Sequence, residues 1–127
     1  MTAPAWIESA VGEFGRSAGL GSLSLGNGGV AALSFQNGLV LRFEYAFDAL
    51  YVAMTVPVRF DAAGAARLLG YAHPQARLGF RVRTGYLAKA GRAVFAVRFA
   101  DRDVTLPLIN AAFALLWRLA LEFGGAA

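Results

Sequence analysis

From Val104 to Trp117 the chain runs fourteen residues without a charge. Pro107 suits the first turn of a helix. The apolar pattern continues through Leu108, Ile109, Phe113, Leu115, Leu116, Trp117 and Leu119 to Phe123, with Arg118 and Glu122 as the sole charges. A helix apolar on nearly every side is expected to be buried on nearly every side. A lone small domain leaves one side of such a helix in water, so the pattern asks for a second burying surface. A bilayer span needs about 20 apolar residues, so the run reads as a buried helix rather than a membrane span. An interfacial helix is also disfavoured, because it would need a strongly polar face.

Composition places the excess in context. The chain has 127 residues, 57% of them hydrophobic, and charged residues are 16% against a usual ~25%. Disorder is excluded, since disordered chains are poor in hydrophobes and rich in charge. The chain has no cysteine, which excludes disulfides, thiol catalysis and Cys-ligated metals. A single domain over residues 1–127 is expected, because domains commonly run about 100–150 residues. A domain of this size hides only about 65–70% of its unfolded surface. Such an apolar chain therefore calls for a dimer, a bound polypeptide or a membrane. No base precedes Arg16, and Glu8 and Glu13 interrupt the apolar residues. That is not a signal-peptide pattern, and the expected location is cytoplasmic.

The elements before the last helix can be read from periodicity. Thr2 is placed to cap a first helix and Pro4 to open it. Ile7, Val11, Phe14 and Ala18 form one stripe on it, with Trp6 beside the stripe and Gly19 as its stop. Gly19 to Gly29 is glycine-rich, but it lacks the G-x-G-x-x-G spacing that a phosphate cradle requires, so it reads as a loop. Ala31, Leu33 and Phe35 alternate as a strand, and Asn37-Gly38 signals a two-residue hairpin. Leu39, Leu41, Phe43 and Tyr45 then share one face, with Val40, Arg42 and Glu44 on the other. After Phe47-Asp48, Leu50, Val52, Met54 and Val56 form the buried side of a third strand. Asp61 caps a short helix from Ala62 to Leu69, stopped by Gly70. A fourth strand is expected from Leu78 to Tyr86 and a fifth from Ala93 to Phe99. The predicted class is α+β with the order α-β-β-β-α-β-β-α. It is a two-layer domain with an antiparallel twisted sheet flanked by helices, expected to be dimeric.

Catalytic patterns are weak. His73 stands alone before Pro74 with no triad signature around it. Asp101 and Asp103 flank Arg102 as a polar turn, and Glu8 and Glu13 are too badly spaced to share a helix face. No catalytic residue, metal ligand or cofactor is assigned. The net charge is +4 and the pI about 10.1. Eleven of the twelve bases are arginine, with Lys89 the exception. Arg77, Arg81 and Arg83 line up with period two, with Arg98 placed on the neighbouring strand. A small basic nucleic-acid-binding or regulatory domain is the alternative this stripe raises. The nearby aromatics alternate with these arginines and point the other way, which weakens it.

The order of elements resembles the class I chaperones of bacterial type III secretion. The likeness rests on Gly19-Leu20 ahead of "SLSLGNGGVAALSF", on "LVLRFEYAFDALYVAMTVPV" for the second and third strands, and on the closing "LINAAFALLWRLALEF". It spans about Trp6 to Phe123. The resemblance implies a cytosolic homodimer without enzymatic activity. It would hold the N-terminal segment of a secreted effector or translocator in extended form, by shallow apolar grooves and an added strand. By the same resemblance, Leu68, Leu69, Tyr71, Phe80 and Val82 form the dimer interface. Trp6, Val40, Arg42 and Tyr51 are implied to contact the client. Members of this family are usually acidic. This chain is basic, which implies an acidic partner segment drawn by steering more than by affinity.

Overall fold

Five strands form one sheet in the order β1-β2-β3-β5-β4, with every pairing antiparallel. The computed structural model describes residues 2–59, 61–73 and 79–125. The chain enters through helix α1 (Ala5–Ser17) and runs up and down through strands β1 (Val30–Ser34), β2 (Val40–Ala46) and β3 (Ala49–Pro57). Helix α2 (Ala62–Ala72) crosses to edge strand β4 (Arg83–Leu87). Strand β5 (Arg92–Ala100) then inserts between β4 and β3, and helix α3 (Leu106–Gly125) closes the fold. The α+β class and the element order are as expected.

All three helices pack on the same side of the sheet. Phe14 of α1 meets Phe43 of β2 at 5.6 Å and Phe113 of α3 at 5.2 Å, both edge to face. Tyr71 of α2 and Phe123 of α3 both lie against Phe95 of β5, at 5.4 and 5.8 Å. Alternation in the strands does the sorting: Leu41, Phe43 and Tyr45, then Leu50, Val52, Met54 and Val56, then Ala93, Phe95, Val97 and Phe99 are buried toward the helices. Among the described residues the opposite sheet face carries no helix.

Several local expectations change. Thr2 does not cap α1; the cap position is Pro4, without a side-chain bond. The other end is as expected. Gly19 takes φ +73°, its N–H donates to Arg16 O and that of Leu20 to Gly15 O, the double bond of a glycine-terminated helix. The Asn37-Gly38 hairpin has a three-residue loop, not two. Phe35 N–H donates to Leu39 O and Gly38 N–H to Phe35 O, with Gly38 at φ +89°, a tight turn followed by a left-handed residue. Helix α2 passes Gly70 and continues to Ala72, because the extra turn seats Tyr71 on Phe95 and Phe123, and packing overrides glycine's low propensity. It ends at His73, which is extended as residues before proline tend to be. Strand β4 begins at Arg83 rather than Leu78. Gly79 at φ +83° breaks the extended run, and Leu78 lies outside the described residues.

Helix α3 also departs from expectation. Ile109, Ala112, Leu116, Leu119 and Ala120 are at most 1% exposed, but Asn110, Ala111, Ala114, Arg118, Leu121 and Glu122 face outward. Alanine makes that outer face small rather than polar, so a sequence reading takes it for core. By length and composition α3 would suffice to cross a bilayer; here it packs as the central core helix.

The glycine-rich loop lies on α1. Glu8 Oε1 accepts the Leu25 N–H at 2.8 Å. A Cβ at Gly15 would stand 2.6 Å from Gly21 O and 2.9 Å from Leu23 Cγ. Gly15→Ala is therefore expected to destabilise by about 1–3 kcal/mol through overpacking, although alanine is the better helix former. Thermal denaturation checks this, and an unchanged or higher midpoint would refute the close approach.

Candidate polypeptide-binding face

The outer sheet face is built by the alternate residues of all five strands, with Val30, Ala32 and Ser34 of β1 beside Glu44, Arg42 and Val40 of β2. Arg42 stands opposite Ala53, and Glu44 opposite Tyr51. Tyr51 stands opposite Arg98, Ala53 opposite Ala96 and Thr55 opposite Val94. Arg83 pairs with Ala96 and Gly85 with Val94. The centre is thus small and mainly apolar, with arginines around it. Arg42 Nη2 meets Glu44 Oε1 at 3.0 Å, an exposed pair worth about 0–1 kcal/mol. Arg92 serves as a structural tie: Nε donates to Thr55 Oγ1 at 2.8 Å, and Nη2 to the carbonyl oxygens of Thr55 and Gly38. It pins β5 to β3 and to the first hairpin.

Three of the four residues implied to touch a client, Val40, Arg42 and Tyr51, lie together on this face. Trp6 does not join them. It projects from α1, 54% exposed, and donates its indole N–H to Asp101 O at 3.3 Å. That contact lies at the sheet end where the β2–β3 turn meets the end of β5. There Asp101 N–H donates to Asp48 O, and Phe47, 80% exposed, stands at the turn with φ 53°. The sequence reading did not single out Phe47. A non-glycine residue at positive φ in a two-residue hairpin, apolar where Asn or Gly is preferred, was the available signal.

Beneath this turn, Tyr45 donates its hydroxyl to Asp101 Oδ2 at 3.1 Å. Burial, that hydrogen bond and the neighbouring carboxylates of Asp101 and Asp48 hold the phenol above its ordinary value of 10.0. The folded protein thus keeps a proton that the unfolded chain releases. This contribution to stability is present below pH 10 and is lost as pH rises through the raised value. Melting temperatures across the alkaline range should show this loss, and Tyr45→Phe should flatten it.

The residues implied for a dimer seam fall into two groups. Leu68 and Val82 are 4% and 3% exposed and lie inside the protomer. Tyr71 and Phe80 are half-buried, Phe80 stacking edge to face on Phe99 at 5.6 Å. Leu69 is 70% exposed, and Leu87 on edge strand β4 is 48% exposed. In the arginine stripe, Arg83 lies diagonal to Arg98 across β4 and β5. Arg81 precedes the strand, and Arg77 lies outside the described residues. No group of three or more His, Cys, Asp or Glu side chains comes together to hold a metal among the described residues.

The family model for the type III secretory system chaperone SycN matches residues 6–123. The chain belongs to this family of type III secretion chaperones. Solved structures share its fold at low identity. A chain of the ExsC–ExsE complex superposes with a TM-score of 0.80 at 20% identity, covering 98% of this chain and 95% of that one. A chain of the HopA1–SchA chaperone–effector complex gives 0.75 at 17% identity, covering 94% of each. One from the ExoU–SpcU complex of Pseudomonas aeruginosa gives 0.70 at 16%, covering 94% and 95%. No curated protein matches.

Proposed function

We propose that the chain is a non-enzymatic bacterial chaperone of the cytosol. It binds the N-terminal segment of one type III secreted protein, effector or translocator, in extended form and keeps it competent for secretion. The observation that carries this reading is the uncovered outer sheet face on which Val40, Arg42 and Tyr51 converge. It is continuous with the edge strand β1. An extended segment gains main-chain hydrogen bonds at such an edge and selectivity from the side chains beside it. Trp6, at the sheet's end, offers a further apolar contact on the other layer. The working unit is a homodimer. Leu69 and Leu87 are apolar, exposed and on adjoining elements α2 and β4.

The experiment is co-expression with the secreted proteins encoded beside it. A stable complex is expected, in which limited proteolysis spares the client's N-terminal segment and cuts the rest. Failure of every such protein to co-purify would overturn the proposal. Light scattering on the free protein at micromolar concentration should give the mass of a dimer, and a monomer would overturn the homodimer.

A further inference from the structure

We infer that the client segment crossing the outer sheet face is acidic, and that Arg83 and Arg98 are its principal charge partners. This rests on the reading of that face as the client surface, and it names the chemistry of what binds there.

The charge of the chain is segregated. Arg42, Arg83, Arg92 and Arg98 stand on the outer face, with exposed Arg81 flanking β4. Glu44 is the one acid among them. Five of the twelve bases and one of the eight acids thus sit on one side. Elsewhere among the described residues, six bases face seven acids. The surplus that makes the protein basic is therefore almost wholly a property of this face. Two of the five arginines are engaged within the protein, Arg42 by Glu44 and Arg92 by Thr55 and Gly38. Arg83 and Arg98 make no ion pair among the described residues.

The floor between Arg42 and Arg83, where Ala53 and Ala96 stand in one row, favours a polypeptide. Ala53, Ala96 and Gly85 are small, so a backbone can approach closely, while Val40, Tyr51 and Val94 add apolar contact. Arg83 stands one strand across from Arg98 and two residues along from it, and strands are spaced by about 4.7–4.9 Å. At about 3.3 Å per residue, carboxylates roughly two to four residues apart on an extended segment match that span. Single-stranded nucleic acid would instead need several stacking rings among the bases. Tyr51 is the ring this face offers, because Phe43, Phe95 and Phe99 point into the core.

The test uses the full chain and two labelled synthetic peptides sharing one apolar pattern, one carrying Glu and the other Lys. At low salt the Glu peptide is expected to bind at least about tenfold tighter, the equivalent of about 1.4 kcal/mol, with the gap closing as salt rises. The double variant Arg83→Glu/Arg98→Glu, exposed at both positions, should keep its melting temperature and reverse the preference. Equal binding of the two peptides, or no change in the variant, overturns the inference. A single-stranded DNA probe that binds tighter than the Glu peptide and is lost in the variant overturns it in favour of nucleic acid. If the natural client co-purifies equally with wild type and variant, the acidic assignment falls and the chaperone reading stands. If no client co-purifies with wild type, the chaperone reading falls, while the peptide pair still decides the chemistry of the face.

Discussion

Phe95→Ala is expected to remove about 3–5 kcal/mol of stability, a large part of the ~5–15 kcal/mol that holds a domain folded. Phe95 is 0% exposed and sits where three packing units meet. On the sheet it faces Met54 of β3 and Thr84 of β4. Above the sheet its ring takes the edge of Tyr71 from α2 and of Phe123 from α3. Truncation leaves a cavity that α2 and α3 cannot both collapse into, because each is anchored elsewhere, Leu68 in α2 and Ile109 and Leu116 in α3 being buried. Chemical denaturation followed by far-ultraviolet circular dichroism measures the loss. Phe95→Leu keeps much of the volume and should cost less. A loss below ~1 kcal/mol for the alanine variant would mean that Phe95 does not join the three units.

Leu69→Asp should separate assembly from folding. Leu69 is 70% exposed, so within a protomer the change should fall inside about ±0.5 kcal/mol. In a two-fold interface each substitution appears twice, and a carboxylate buried without a partner costs several kcal/mol. The proposed homodimer should therefore dissociate at least about a hundredfold more readily, an equivalent of about 2.8 kcal/mol. Light scattering over a dilution series reads the change against an unshifted melt of the monomer. A dimer as tight as that of the wild type would place the seam away from α2. Leu68→Asp is the control: at 4% exposure it should unfold the protomer instead.

The sequence made the sheet legible because one face of every strand is buried and the other is not. The alternation of Leu41, Phe43 and Tyr45 with Arg42 and Glu44 can be satisfied in one register only. Helix ends were less legible, because they depend on partners distant in the chain. Gly70 looks like a stop until Tyr71 finds Phe95 and Phe123. The outer face of α3 was misread for a similar reason: Ala111 and Ala114 are apolar in any count, yet small enough to stand in water. In the candidate site, Val40, Arg42 and Tyr51 were brought together by strand pairing, which periodicity anticipates. Trp6 was separated from them because its helix lies on the other layer. The stripe of Arg81, Arg83 and Arg98 was legible from period two on consecutive strands, but its joining to Arg42 and Tyr51 on one face was not, since that arises from β5 inserting between β3 and β4. That insertion sets Arg98 beside Tyr51, residues far apart along the chain.

The packing of α1 on α3, Phe14 against Phe113, also bears on how the protein is made. The first helix and the last share one core, and the strands between them bury Leu41, Phe43, Leu50 and Met54 under elements that include the last to be synthesised. A nascent chain carrying α1 and the first strands can cover only part of that greasy layer, by Phe14 on Phe43, until α3 leaves the ribosome. Such long-range closure slows folding and prolongs exposure to aggregation. Closure of the core thus waits for α3, which follows all five strands in the chain, and with it the sealing of the sheet beneath the surface that would receive a partner.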